Sequence, residues 1–206
     1  MSEHKDLGVL VDNKLKFHSH VLITTRKAAG VANNIIRSTL CRTPAFMTFI
    51  WVTYIRPILE FGSTLWNTGY MMDLRLLERV QRRWTKNVSG LENRPYNERL
   101  AALNLFSVKG RLIRADLILY WKIFHGQSTI KPEDIFSLDV RPGNRGHLFK
   151  IATRFASSEA KKRSFSFRQV AVWNALPHEV VASPTLAAFK RNLHNHSQDL
   201  LFGYLD

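Results

Sequence analysis

The stretch Asp73-Leu-Arg75-Leu-Leu77-Glu78-Arg79-Val80-Gln-Arg82-Arg83-Trp84-Thr-Lys86-Asn-Val88 contains the pattern that decides the fold of the surrounding chain. On a helical wheel its apolar side chains share one side, and four of its cations lie opposite them within an arc of roughly 60° at ~100° per residue. A solvated helix usually mixes charges of both signs, but only Glu78 stands beside this basic row. The pattern predicts a helix with one face on a core and a row of cations on the other.

The composition predicts a packed globule with an anionic partner. The chain has 206 residues, of which 45% are hydrophobic, enough for one large or two small domains. Its 30 Lys and Arg outnumber 16 Asp and Glu, which gives a net charge of +14. Such an excess favours a polyanion. Nucleic acid is preferred over an anionic membrane surface, because the sequence lacks a long basic amphipathic terminus.

The cysteine count and the apolar runs predict an intracellular protein that has no membrane partner. Cys41 is the only cysteine, which excludes intrachain disulfides and Cys-based zinc sites. We interpret it as a small buried residue. The N-terminus is polar and mixed in charge, unlike a signal peptide. The longest apolar run, residues 45–55, is much shorter than the ~20 residues that a membrane helix needs.

The periodicity along the chain predicts a mainly α fold: a helical bundle followed by a small α+β C-terminal extension. Residues 1–12 contain a short β-like run, 6–12, which is expected to pair with a strand upstream. Residues 13–140 form the bundle, within which Pro57 is expected to kink or break a central helix. Residues 141–206 form a basic extension that starts with a Pro- and Gly-rich linker, 141–146, and a strand, 147–155. Helices are predicted at 18–40, from Pro44, and at 73–88, 95–103, 109–124, 165–176 and 184–202.

Two basic sets are candidate nucleic-acid contacts. The first set lies on the predicted helix 73–88 and consists of Arg75, Arg79, Arg82, Arg83 and Lys86. Arg83 lies farthest from the line of the other four. This set would contact phosphates without reading the base sequence. The alternative is a solvated helix face with lateral salt bridges. The second set is Lys161, Lys162 and Arg163, within a basic, aromatic-bearing stretch, 145–168, that includes Arg168. The alternative for this stretch is a solubilising exposed hairpin.

The remaining candidate residues favour structural roles. The pairs His18-x-His20 and His194-x-His196 lack a nearby cysteine, so a structural zinc site is disfavoured. Glu78 and Glu98 are interpreted as salt-bridge partners. The aromatic residues at helical core spacings are expected to form the core and not to contact a ligand: Trp51, Tyr54, Trp66, Trp84, Trp121, Phe124 and Trp173.

An ordered series of strings across nearly the whole chain resembles the thumb and post-thumb part of non-LTR retrotransposon reverse transcriptases, with the jockey-like and chicken-repeat-like groups nearest. The strings are Lys5-Asp-Leu-Gly-Val9, Phe17-His-Ser-His-Val21, Tyr54-Ile-Arg-Pro-Ile-Leu-Glu-Phe-Gly-Ser63, Trp66-Asn67, Leu77-Glu-Arg-Val-Gln-Arg-Arg83, Thr85-Lys86, Gly90-Leu91, Tyr96-Asn-Glu-Arg-Leu100, Leu103-Asn-Leu105, Arg145-Gly-His147, Phe165-Ser-Phe-Arg168 and Trp173-Asn-Ala-Leu-Pro177.

The resemblance implies a C-terminal fragment of an RNA-directed DNA polymerase that grips nucleic acid behind the active site. Residues 1–12 would then be a strand of a missing palm, and 13–140 the thumb. The partners it implies are RNA, an RNA–DNA hybrid and the upstream palm domain of the same polyprotein. The family's palm would hold two divalent metal ions, expected to be Mg²⁺, on carboxylates that include an Asp-Asp pair.

This chain has no Asp-Asp pair, so we expect it to bind no cofactor and to be non-catalytic on its own. The endonuclease of the family is absent from the sequence as well. An active element would place the chain in a ribonucleoprotein in the nucleus and cytoplasm. The alternative is a repurposed or degenerate element remnant that acts as a non-catalytic protein-interaction module.

Overall fold

The computed structural model describes residues 3–138 and 147–196, which are mainly helical, so the predicted fold class is confirmed. The chain opens with an antiparallel hairpin of β1 (Glu3–Asp6) and β2 (Val9–Asp12). A single strand over 6–12 was therefore wrong, because the chain turns within it. Leu7 and Gly8 both have positive φ, 43° and 89°, as a tight two-residue hairpin turn requires. That the hairpin belongs to a palm stays a prediction.

The chain divides into two compact units between Leu112 and Ile113. The sequence placed the change of domain after residue 140 instead. The predicted linker, 141–146, lies outside the described residues, as does Arg145.

The first unit contains six helices among its described residues, and a seventh begins in it. They are α1 (His18–Ser38), α2 (Pro44–Ile50), α3 (Arg56–Glu60), α4 (Ser63–Trp66), α5 (Met71–Thr85), α6 (Tyr96–Ala102) and the start of α7 (Val108–Phe124). Helices α1 and α5 lie side by side and run in the same direction. Their starts meet where His18 Nδ1 lies 2.5 Å from Asp73 Oδ1, and beyond their ends the Ser89 N–H donates to the Arg42 carbonyl at 2.9 Å.

A π-helical turn, Trp51–Ile55, joins α2 to α3 without a break. Proline lacks an N–H, and its ring crowds the carbonyl of the preceding helical turn. The predicted disturbance by Pro57 takes the form of one widened turn, in which the Arg56 N–H bonds to the Trp51 carbonyl. The widened turn also explains an outlier of the predicted aromatic core: Tyr54 is 53% exposed, because an extra residue per turn rotates it off the buried side.

The second unit continues α7 and adds short helices. They are α8 (Pro132–Ile135), α9 (Glu159–Lys162), α10 (Phe165–Arg168), α11 (Val170–Ala175), α12 (His178–Val181) and α13 (Leu186–His196). The predicted strand at 147–155 was wrong, since the described residues there form only an isolated bridge, between Leu138 and Ile151. Side chains replace the strand partner: Asn174 exchanges two hydrogen bonds with the backbone of Ile151, and Trp173 Nε1 donates to the Phe149 carbonyl.

Each unit has its own core. The five tryptophans are buried as predicted, with Trp51, Trp66 and Trp84 in the first unit. Trp121 and Trp173 lie in the second. No helix among the described residues is long and apolar enough to cross a membrane.

Candidate nucleic-acid interface

Helix α5 is amphipathic in the way that its sequence predicted. The apolar residues on the side predicted to face the core are buried: Leu74, Leu77, Val80 and Trp84. Four of the five predicted contact residues are exposed along the opposite side, namely Arg75, Arg79, Arg83 and Lys86. The 15 residues of the helix give a rod roughly 22 Å long at ~1.5 Å per residue, and successive exposed cations are about one turn apart.

Both acidic residues of α5 are withdrawn from the exposed face. Asp73 is 5% exposed and pairs with His18 at the start of α1. Glu78, which the sequence interpreted as a salt-bridge partner, is 2% exposed, and the nearby positive charge of Arg82 acts to lower its pKa. As a result, the exposed charges of this helix are all positive.

Glu78 caps the start of another helix. Its carboxylate accepts hydrogen bonds from the Val108 N–H at 3.0 Å and the Lys109 N–H at 3.3 Å, the first two residues of α7. These N–H groups have no partner within their own helix, and the helix dipole favours an anion there. The Tyr96 hydroxyl also donates to Glu78. Burial raises the pKa of Glu78, while these hydrogen bonds oppose the shift.

Arg82, the fifth predicted contact residue of the helix, is turned toward the protein. Its guanidinium lies 4.5 Å from the centroid of the Tyr96 ring and the side chain is only partly exposed. The sequence ranked Arg83 as the residue farthest off the row, yet Arg83 is exposed. A helical wheel of α5 alone could not predict this difference, because Tyr96, which covers Arg82, belongs to α6.

Arg99 is a buried cation that the sequence pattern did not single out. It is 2% exposed, its guanidinium lies 5.4 Å from the Tyr96 centroid, and burial lowers its pKa. Within the described part of the chain, its Nε and Nη1 atoms have no hydrogen-bond acceptor. The sequence around Arg99 did not predict its burial, because arginine side chains are usually exposed.

The second predicted set lies in the second unit, at helix α9. Lys161 and Lys162 are exposed, whereas Arg163 is partly buried and its Nε lies 2.6 Å from Glu159 Oε1. The Lys161 ammonium lies 5.5 Å from the centroid of the Phe167 ring. The predicted basic turn is therefore one helical turn with two exposed lysines.

Arg168 does not belong to the basic surface where the sequence placed it. Its guanidinium makes two hydrogen bonds to Asp116 on α7, at 2.8 and 2.7 Å, and the two side chains are only 7% and 1% exposed. Burial raises the pKa of Asp116, and the guanidinium opposes that shift. This ion pair is part of the interior of the second unit.

The other candidates have structural contacts or no evident role. His18 is the partner of Asp73, and His20 Nδ1 accepts from the Leu10 N–H at 3.3 Å. Cys41 is exposed, contrary to the expected burial. Across residues 3–138 and 147–196, no group of three His, Cys, Asp or Glu side chains is arranged to hold a metal ion.

Comparisons with known proteins leave the family open. No protein-family model matches the chain, and no solved structure matches it. An uncharacterized protein of Caenorhabditis elegans is 25% identical over 125 residues. The match covers 59% of this chain and 63% of that protein, so the chain spans less than two thirds of its relative's length.

Proposed function

We propose that this chain grips the phosphate backbone of an RNA–DNA hybrid or RNA through helix α5, as the C-terminal, thumb-like part of a retrotransposon RNA-directed DNA polymerase. The observation that carries the proposal is the exposed side of α5, on which every exposed charged side chain is a cation because Asp73 and Glu78 are both buried. A row of cations on a rigid helix suits phosphates, which position a duplex without reading its sequence.

The proposed role is binding without chemistry in this chain alone. The ordered family-like strings and the net charge of +14 support it. The two metal ions of the reaction would be held by the upstream palm domain, which is also the proposed protein partner. A ribonucleoprotein in the nucleus and cytoplasm is the setting that this role implies.

The test is fluorescence anisotropy with a labelled RNA–DNA hybrid over a series of salt concentrations. The triple variant Arg75→Gln, Arg79→Gln, Arg83→Gln removes three exposed cations from the row. Each lost phosphate contact should reduce the slope of log affinity against log salt by ~0.9, so a loss of roughly 2.7 is expected. Arg82 is left in place, because its contact with Tyr96 would mix binding with stability.

The matched control removes the same charge elsewhere in the first unit. Lys5, Lys14 and Lys16 are exposed at the hairpin and the turn after it, and each is replaced by Gln. If the control triple reduces the slope as much as the α5 triple, the effect is one of net charge and the proposed interface is wrong. A salt-independent affinity of the unaltered chain would contradict nucleic-acid binding through phosphates altogether.

A second candidate function, the protein-interaction module, is favoured by one observation in the first unit. Every exposed position between 44 and 66 is uncharged, and these positions include Phe49, Tyr54, Phe61 and Leu65 at 53–62% exposure. Exposed apolar side chains of this kind mark protein contacts. The partner would present an uncharged apolar surface, and the upstream palm domain is the partner that the resemblance implies.

This second function has its own discriminating experiment. Purified palm domain of a jockey-like polymerase is mixed with the nuclease-treated chain, and the affinity is measured by calorimetry. Phe49→Ser and Phe61→Ser should abolish that binding while leaving the affinity for the hybrid unchanged. Binding that disappears on nuclease treatment, or that survives both substitutions, would exclude this surface.

A further inference from the structure

A cavity of about 640 Å³ lies entirely within the second unit, next to the basic helix α9. Its floor is apolar and includes the buried side chains of Phe136, Ile151 and Val170. Its volume falls in the range of about 300–1,000 Å³ that is typical of small-ligand sites. The space is therefore large enough for one bulky planar group together with a charged substituent.

The rim of the cavity carries a net positive charge. Arg154 and Lys162 both line it and are both exposed. Glu159 is the acidic residue of the lining, and its carboxylate is bonded to Arg163 at 2.6 Å. Since Arg163 offsets that carboxylate, the two remaining cations set the sign of the rim, and the charge favours an anionic ligand.

An aromatic side chain stands in solvent at the same rim. Phe155 is 92% exposed, although it belongs to a residue type that is usually buried. Ser166 and Phe167, which belong to α10, also line the cavity. Two aromatic rings, serine hydroxyls and cations together provide stacking, hydrogen-bonding and charge contacts around one apolar floor.

We propose that this cavity binds one unpaired nucleotide of an RNA or DNA strand. The base would lie on the apolar floor of the cavity and stack on Phe155, and the phosphate of the same nucleotide would contact Arg154 and Lys162. Base–aromatic stacking tolerates any base, because each base has a π face. A phosphorylated or acidic peptide would satisfy the cations and leave the aromatic and apolar walls uncovered, so the nucleotide fits more of the lining.

The site rests on the proposed nucleic-acid function but is separate from the cations of α5. It adds a preference that the backbone grip lacks: a hybrid with a single-stranded overhang should bind more tightly than a blunt one. The overhang supplies the unpaired nucleotide, and a blunt end does not. The two proposals therefore predict different results with the same protein.

The experiment compares the anisotropy-derived affinities of a blunt RNA–DNA hybrid and of the same hybrid with a short single-stranded overhang. We expect the overhang to raise the affinity roughly tenfold, the scale of one stacked base. Phe155→Ala and Lys162→Ala should each remove most of that gain and leave blunt-hybrid binding nearly unchanged. Both side chains are exposed, so neither substitution should disturb folding.

Matched controls come from the same unit. Leu148→Ala removes an exposed apolar side chain, and Arg191→Ala removes an exposed cation; neither residue lines the cavity, so both variants should keep the gain. Equal affinity for the two hybrids in the unaltered chain, or a gain that survives Phe155→Ala and Lys162→Ala, would overturn the cavity proposal while leaving the α5 grip intact.

A direct titration separates the possible ligands. Adenosine monophosphate and a phosphoserine peptide are each titrated into the chain and followed by NMR. Saturable binding of the nucleotide that is lost in Phe155→Ala supports the site, and if the blunt hybrid fails to bind while the overhang hybrid binds, the α5 proposal alone is wrong. Binding of the peptide without binding of the nucleotide would overturn the proposal in favour of an acidic protein partner.

Discussion

The buried ion pair between Asp116 and Arg168 gives a stability prediction whose size follows from the structure. The carboxylate and guanidinium are joined by two hydrogen bonds, and their side chains are 1% and 7% exposed. Removing one partner of such a pair leaves an uncompensated charge in the interior, which costs about 3–5 kcal/mol. Asp116→Asn keeps the shape and an acceptor, so we expect a loss near 3 kcal/mol.

The reverse substitution has a built-in limit. In Arg168→Met the Asp116 carboxylate loses its guanidinium partner. Burial raises the pKa of Asp116 and the guanidinium opposes that shift, so the pKa should rise further in this variant. The group can take up a proton, which replaces the cost of a buried charge by the cost of holding a neutral acid. The loss in Arg168→Met should therefore grow as the pH rises.

The double variant Asp116→Leu, Arg168→Met separates an ion pair from two independent contacts. Replacing both charges by apolar groups of similar volume is often close to neutral, so the double variant should lose far less than the sum of the losses in Asp116→Leu and Arg168→Met. Urea unfolding followed by circular dichroism measures the double variant, these two single variants and Asp116→Asn. A loss of 3 kcal/mol corresponds to a fall in Tm of roughly 6–12 °C for a chain of this size. Single losses below ~0.5 kcal/mol, or additive losses, would refute the reasoning.

Three further predictions concern the first unit. Burial raises the pKa of Glu78, so at pH values between the ordinary glutamate pKa and the raised one the folded chain binds more protons than the unfolded chain. The free energy of unfolding should therefore fall as the pH rises through that range. Glu78→Gln should flatten the dependence of the urea midpoint on pH. Gly62 has φ +63°, so Gly62→Ala should lower the free energy of unfolding by about 1 kcal/mol. Gly30 lies inside α1 and no atom is near the Cβ that alanine would add, so Gly30→Ala should raise the free energy of unfolding by ~0.5–1 kcal/mol. Arg82→Ala should lower the free energy of unfolding by about 0.5–1 kcal/mol through the lost Tyr ring contact, and Arg83→Ala should not.

These three predictions have plain counter-outcomes. Glu98 is exposed, so Glu98→Gln is the control for the pH series, and an equal effect of both variants would exclude Glu78 as the cause. Equal stabilities of the two glycine variants would show that backbone conformation does not limit substitution at Gly62. If Arg83→Ala destabilises as much as Arg82→Ala, the ring contact is not what holds Arg82.

Much of helix α5 was predictable because its side chains follow a strict helical period. Asp73 also falls inside the apolar arc of the helical wheel, a position that indicates a buried carboxylate with a partner, and it is buried. Glu78 gave no such signal. It lies at the border of the arc, and its burial depends on Tyr96 and Val108, which tertiary structure brings to it.

The local errors have a common physical origin. The hairpin turn uses a leucine at positive φ, where glycine or asparagine would have been the recognisable residue. The segment near Ile151 has the alternating sequence of a strand, but its backbone bonds to the side chain of Asn174, more than twenty residues away. Likewise, Arg168 was grouped with its basic neighbours because nothing in the local sequence reveals that Asp116 is its partner.

The cap at the start of α7 has a consequence for the order of folding. Glu78 receives the N–H of Val108 across thirty residues, and one turn later Gln81 donates from its side-chain amide to the Phe106 carbonyl at 2.8 Å. The first turn of α7 is therefore completed in part by α5, beside the local cap in which Ser107 Oγ accepts the Gly110 N–H at 3.0 Å. Closing that loop costs chain entropy before the bonds repay it, so α5 should form early and the first turn of α7 late. In hydrogen exchange, the amides of Val108 and Lys109 should lose protection together with those of α5, even though the middle of α7 remains protected.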